Sequence, residues 1–166
     1  DTLIGIFSVG SIPTGDKDPF ALRRAALGCI RIAIESDSRI GLRESIAFAC
    51  EGYTNVVAME NIADNVLKFI IERIRGYFAE QKFAGSMIEA VLAVSSNSPS
   101  DIQQRIAAVA AFQRLPESKA LASANKRIAN ILRKNSIEGV SSINAALLQD
   151  PVEKALAQSI ESVSTA

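Results

Sequence analysis

The chain contains no histidine, which removes the usual general base near neutral pH and the commonest metal ligand. Its 18 basic and 18 acidic residues cancel, so no global field draws it to nucleic acid or to an anionic membrane, and any basic surface has to be local. Aromatic residues make up only 5%, which leaves base stacking a minor resource. Cys29 and Cys50 are too few for a disulfide scaffold or a four-ligand zinc site and are expected as buried free thiols. There is neither an apolar run long enough to span a bilayer nor a charged-then-apolar start with a cleavage site, so the chain reads as cytosolic. No glycine-rich phosphate loop, internal repeat or low-complexity tract stands out. Together these absences make catalysis by this chain unlike any recognisable constellation of nucleophile, base and metal.

What is present is apolar content, 48% of 166 residues, ample for a core of this size, arranged with helical spacing. Residues 2–9 read as the end of a helix, followed by a loop at Gly10-Ser11-Ile12-Pro13-Thr14-Gly15. A helix over 19–35 is expected to start on an Asp18 cap with Pro19 at its first position. It packs Leu22, Ala26, Cys29, Ile30 and Ala33, while Phe20, Arg24, Leu27 and Arg31 lie on a second face. A shorter helix covers 40–51, a break falls at Gly52-Tyr53-Thr54-Asn55, and a central helix runs from about 57 to 81. Its stripe is Ala63, Leu67, Ile70, Ile74 and Phe78, widened by Val66, Phe69 and Ile71.

Further helices are predicted over 86–95, from a Ser100/Gln103 capping box to about Phe112, from Pro116 to about Lys134, and from Asp150-Pro151 through Val152, Leu156, Ile160 and Val163. No segment alternates as a strand does. The fold class is all-α, an irregular multi-helix bundle. Gly28 and Gly76 sit inside helices, at a cost of about 1 kcal/mol each relative to alanine, and close helix approach is the expected reason.

Three collinear stretches carry a family signature: Gly15-Asp16-Lys17-Asp18-Pro19-Phe20-Ala21-Leu22-Arg23-Arg24-Ala25-Ala26-Leu27-Gly28, then Glu72-Arg73-Ile74-Arg75-Gly76-Tyr77-Phe78, then Leu115-Pro116-Glu117 with Ala124-Asn125-Lys126-Arg127-Ile128-Ala129-Asn130-Ile131-Leu132. The chain resembles the beta subunit of the bacterial two-subunit glycyl-tRNA synthetase. Asp1-Thr2-Leu3-Ile4-Gly5-Ile6-Phe7 resembles the segment that leaves the family's HD-like domain, with Asp1 matching a motif whose other metal ligands are missing here. The start on Asp1 without methionine reads as a piece cut from that longer subunit.

The resemblance implies three regions: 1–14 as the exit of the HD-like domain, 15–113 as a helical linker or body, and 114–166 as a partial helical region similar to the anticodon-binding domain of class I synthetases. It also implies glycine tRNA, the synthetase alpha subunit and the rest of the beta subunit as partners, with no membrane. The overall reaction would be ATP-dependent attachment of glycine to tRNA. ATP and magnesium would be used by the whole enzyme, with no cofactor, metal or catalytic residue in this piece.

The candidate site lies on the helix from 116 to 134. Leu121, Ala124, Ile128, Ile131 and Leu132 cluster on one face, with Lys119, Ser123, Lys126, Asn130 and Arg133 opposite and Arg127 and Lys134 on its flanks. Within 115–134 five basic residues face the single Glu117, a composition suited to tracking phosphates while the apolar side anchors the helix. On the residues alone the simpler reading is an ordinary solvated face; the resemblance turns it toward RNA contact. Arg23, Arg24 and Arg31 serve equally as ion-pair partners or as tRNA backbone contacts. Arg73 and Arg75 are expected to hold neighbouring helices by salt bridges, and Tyr77 and Phe78 to belong to the core. The site residues are therefore Lys119, Lys126, Arg127, Asn130, Arg133, Arg24 and Arg31, for RNA. The alternative is a scaffold for subunit or domain assembly that touches no RNA.

Overall fold

A computed structural model of the chain describes residues 1–53, 61–135 and 144–164. Eight α-helices and no strand occur among them: α1 Thr2–Ser8, α2 Leu22–Glu35, α3 Leu42–Glu51, α4 Ile62–Glu80, α5 Gly85–Val94, α6 Pro99–Phe112, α7 Ser118–Lys134 and α8 Pro151–Ser164. A 3-10 turn at Ala145–Leu147 precedes α8. The chain divides into two compact units, Asp1–Pro116 and Glu117–Ala166.

In the first unit α4 packs against α1, α2, α3 and α5, while α6 packs against α2 and α5. The sequence stripe explains that centrality. Val66, Leu67, Phe69, Ile70, Ile74 and Phe78 are all buried, two adjoining faces of one helix, and each such side chain removed from water stabilises the fold by roughly 1.5–3 kcal/mol. Ala63 is exposed and Ile71 half-buried. The predicted start of α4 at 57–60 lies outside the described residues. Phe7 of α1 meets Phe69 edge-on with ring centroids 5.4 Å apart, and Phe78 meets Phe83 in the same manner at 6.1 Å. Tyr77 is half-buried against Phe78.

Several local expectations are corrected. Helix α2 begins at Leu22, not Pro19. Asp18 still caps it, but from below an extra turn: its carboxylate accepts from Leu22 N at 2.8 Å and Arg23 N at 2.9 Å, and Ala21 between them takes a left-handed φ of 53°. The Ser100/Gln103 capping box does not form. Pro99 occupies the first turn of α6 with Ser98 at the cap position, so Ser100 falls inside the helix, where its buried hydroxyl donates to the Ser38 carbonyl at 2.8 Å.

Gly28 and Gly76 mark no close approach, since a Cβ at either would meet nothing within 4 Å. Tight contacts fall instead at Gly5, where a Cβ would lie 2.8 Å from Tyr53 Oη, and at Gly41, where it would run into the Glu44 carboxylate and lie 2.9 Å from Asn97 Nδ2. Arg75 joins α4 to α5 through Glu89 at 2.6 Å. Arg73 instead pairs with adjacent Glu72 at 3.0 Å and lies 4.6 Å above the Phe69 ring. Cys29 is exposed and Cys50 half-buried, both free: position 29 shares the apolar spacing of α2 but lies at the edge of the buried stripe of Leu22, Ala26, Ile30 and Ala33.

In the second unit, α8 opens as Asp150-Pro151 predicts. Asp150 Oδ1 accepts from Val152 N at 2.8 Å, and Glu153 Oε2 accepts from Asp150 N at 3.3 Å, a reciprocal capping box. Residues 136–143, 165 and 166 of the predicted tail lie outside the described residues.

Candidate nucleic-acid interface

Helix α7 is strongly two-sided because its apolar and polar residues recur at three- and four-residue intervals. Its polar side carries Lys119, Lys126, Arg127 and Arg133, all exposed, and Asn130, which is half-buried. Lys126 and Arg127 stand one turn before Asn130 and Arg133 one turn after it, so the four form a continuous patch.

Among the described residues none of these cations has a carboxylate within salt-bridge distance. Arg133 Nη2 donates instead to the Asn130 amide oxygen at 3.0 Å. Arg133 and Lys134 also sit in the last turn, where positive charge favours the helix dipole, and Asn135 Nδ2 closes the helix on the Ile131 carbonyl at 2.8 Å. Chemically the patch is a set of donors and fixed positive charge suited to an anion extended along the helix.

The opposite face differs from the expectation of an anchored helix. Leu121, Ile128 and Ile131 are about half exposed, and Ser118 is the buried residue of α7. Amphipathic spacing shows which side can pack without showing what covers it. Helix α8 repeats the pattern, with Val152, Leu156 and Ile160 exposed.

Arg24 and Arg31 lie in the other unit, on the exposed side of α2, and neither has a carboxylate partner among the described residues. Arg23, between the two readings in the sequence, is structural: its guanidinium donates to the Gly15 carbonyl. Nearby, the Asp18 carboxyl lies below its ordinary value; partial desolvation pushes it up, but the backbone hydrogen bonds from Arg23 and Leu22 and the charges of Arg23 and Arg24 outweigh that.

Two of the clefts in the first unit lie against its helices' packed faces. One, of about 520 Å³, lies between α1, α2 and α3 and is largely apolar, lined by Ile4, Cys29, Ile32, Ile46 and Ala49 among others. The other, of about 460 Å³, runs along α4 and α5 past Arg43, Asp64, Lys68, Glu72, Arg75 and Glu89. Asp1 is exposed, and no cluster of three or more residues able to hold a metal occurs among the described residues. No helix among them is long and apolar enough to cross a membrane.

Comparison with known proteins identifies the class. A family model for the glycyl-tRNA synthetase beta subunit matches residues 1–93. Curated glycine–tRNA ligase beta subunits are similar over nearly the whole chain: that of Pseudomonas aeruginosa is 43% identical over 160 residues, 96% of this chain and 23% of its own length. That of Tolumonas auensis is 43% identical over 165 residues, 99% of this chain and 24% of its own, and that of a Janthinobacterium strain is 44% identical over 163, 98% and 23%. The chain belongs to the glycyl-tRNA synthetase beta subunit family, and it spans about a quarter of the length of these relatives.

Proposed function

We propose that this chain is a tRNA-binding helical portion of a glycine–tRNA ligase beta subunit, acting in the ATP-dependent joining of glycine to its tRNA in the cytoplasm. The observation that carries the reading is the α7 patch, cationic and without carboxylate partners among the described residues, in a chain of this family. The segment 114–166 would serve as part of an anticodon-binding region, with 15–113 as its helical support and 1–14 as the link to the rest of the subunit. The alpha subunit, using ATP and magnesium, would supply the chemistry.

In this reading Lys119, Lys126 and Arg127 hold backbone phosphates and set the register, with Arg133 adding positive charge beside them, and affinity falls steeply with salt as counterions are released. Arg24 and Arg31 form a second, smaller contact. The test is titration of glycine tRNA at two salt concentrations against the chain and its Lys126→Ala/Arg127→Ala/Arg133→Ala variant. Loss of the Lys126 and Arg127 phosphate contacts together with the Arg133 charge lowers the slope of log affinity against log salt by about one to two for single-stranded RNA. Equal affinity and equal slope in a variant with unchanged circular dichroism would remove α7 from the interface.

A second reading, a scaffold that touches no RNA, draws on the zero net charge and the exposed apolar residues of α7 and α8. Salt-insensitive association with the alpha subunit, without measurable tRNA binding, would favour it.

A further inference from the structure

We infer that Asn130 and Arg133 form the base-reading element of α7 and that together they select a guanine edge over an adenine edge. The inference rests on the RNA-binding reading above and assigns specificity within it. Asn130 is half-buried while Lys126, Arg127 and Arg133 around it are exposed, so it is the most enclosed residue of the patch. Its side-chain oxygen accepts a hydrogen bond from Arg133 Nη2 at 3.0 Å.

That single contact decides what the amide can offer. An unencumbered asparagine matches adenine by donating to N7 and accepting from the exocyclic N6 amine. Here the accepting oxygen is engaged and a positive guanidinium stands beside it, which crowds and repels a second donor. The amide nitrogen keeps both of its hydrogens, and the guanidinium keeps the rest of its five N–H groups. The pair therefore presents donors to a ligand. Guanine O6 and N7 are both acceptors and take two donors side by side; adenine presents one donor and one acceptor at the same positions. Lys126 and Arg127, one turn earlier on the same face, fix the phosphates that bring an unstacked loop base to this point.

The experiment uses RNA hairpins of one stem sequence with uridine loops carrying a single guanosine or a single adenosine, titrated at low salt against the chain, Arg133→Ala and the double variant Asn130→Ala/Arg133→Ala. The guanosine loop is expected to bind about tenfold more tightly than the adenosine loop, the scale of one good bidentate contact. The double variant Asn130→Ala/Arg133→Ala is expected to erase that ratio while keeping salt-dependent binding through Lys126 and Arg127, because an arginine left alone still pairs with guanine O6 and N7. Arg133→Ala is expected to narrow it from the other side, because the freed Asn130 oxygen can then accept from adenine. Replacing guanosine with 7-deazaguanosine, which lacks the N7 acceptor, should cost affinity in the unaltered chain and none in the double variant.

Equal binding of the two loops by the unaltered chain, or a ratio that survives the double variant, overturns the base-reading role and leaves phosphate binding standing. No binding of any hairpin or of glycine tRNA at low salt, with circular dichroism unchanged, overturns both.

Discussion

Asn97 caps helix α3 from 54 residues away: its side-chain oxygen accepts from Arg43 N at 2.8 Å. Its carbonyl accepts from Leu42 N at 2.7 Å, and its amide nitrogen donates to Glu44 Oε2 at 2.9 Å. One side chain from the α5–α6 connection thus supplies what a local cap residue would, because position 41 is a glycine with no side chain to offer. Replacing Asn97 by alanine is expected to cost about 1 kcal/mol, the usual worth of an N-cap, read as a lower urea midpoint with an unchanged m-value.

The same contact has a pH signature. The Asn97 hydrogen bond holds the Glu44 carboxyl below its ordinary value of 4.5. Arg75 does the same for Glu89, and Arg105 with Ser95 for Asp101. Asp18 is lowered as well, its backbone hydrogen bonds and the nearby arginines outweighing desolvation. A carboxylate whose folded value is depressed contributes stability that is fully present above its unfolded value and is lost as pH falls through the folded one. The melting temperature is therefore expected to be level from about pH 7 to about pH 5 and to drop below about pH 4. A curve flat into strong acid would contradict this.

Glycine positions separate by space. Gly28→Ala and Gly76→Ala add a methyl into open volume within a helix and are each expected to stabilise the protein by about 0.5–1 kcal/mol. Gly5→Ala drives its methyl against the Tyr53 ring, 2.9 Å from Cε1, and is expected to cost about 1–3 kcal/mol. Denaturant titration of the three variants checks the signs.

Ile74 and Ile128 look alike in the sequence, each on the apolar stripe of an amphipathic helix. Ile74 is fully buried and Ile128 is 54% exposed. Truncation to alanine is expected to cost about 2–5 kcal/mol at Ile74 and under about 1 kcal/mol at Ile128. Comparable losses at both would mean that a partner covers α7.

Thiol chemistry gives a simpler measurement. Exposed Cys29 is expected to react with a thiol reagent well before half-buried Cys50, since a reagent reaches an accessible thiol first. Blocking by Cys29→Ser should remove the fast phase.

Regular spacing made most of the fold legible. The stripe of α4 foretold its burial at Val66, Leu67, Ile70, Ile74 and Phe78, and Asp150-Pro151 foretold the start of α8. Contacts between distant residues were not legible: nothing near Gly41 names Asn97 as a cap, and Ser100 looks like a cap until Ser38 is found beside it. Cys29 was misread for a related reason, since helical spacing gives a face but not where that face stops being covered. At the candidate site, the sequence showed the charges of α7; the hydrogen bond between Arg133 and Asn130 required coordinates.

Helix α4 touches four neighbours, whereas the apolar sides of α7 and α8 remain open to water. Opening the middle of α4, from Val66 to Phe78, requires breaking the shared core, so the amide hydrogens there should exchange with deuterium only through global unfolding of the first unit. Those of α7 are guarded by little more than their own backbone ladder and should be replaced far sooner. Binding of a polyanion along the Lys126–Arg133 side would then register as slowed exchange in α7, without any change at Ile74 or Phe78.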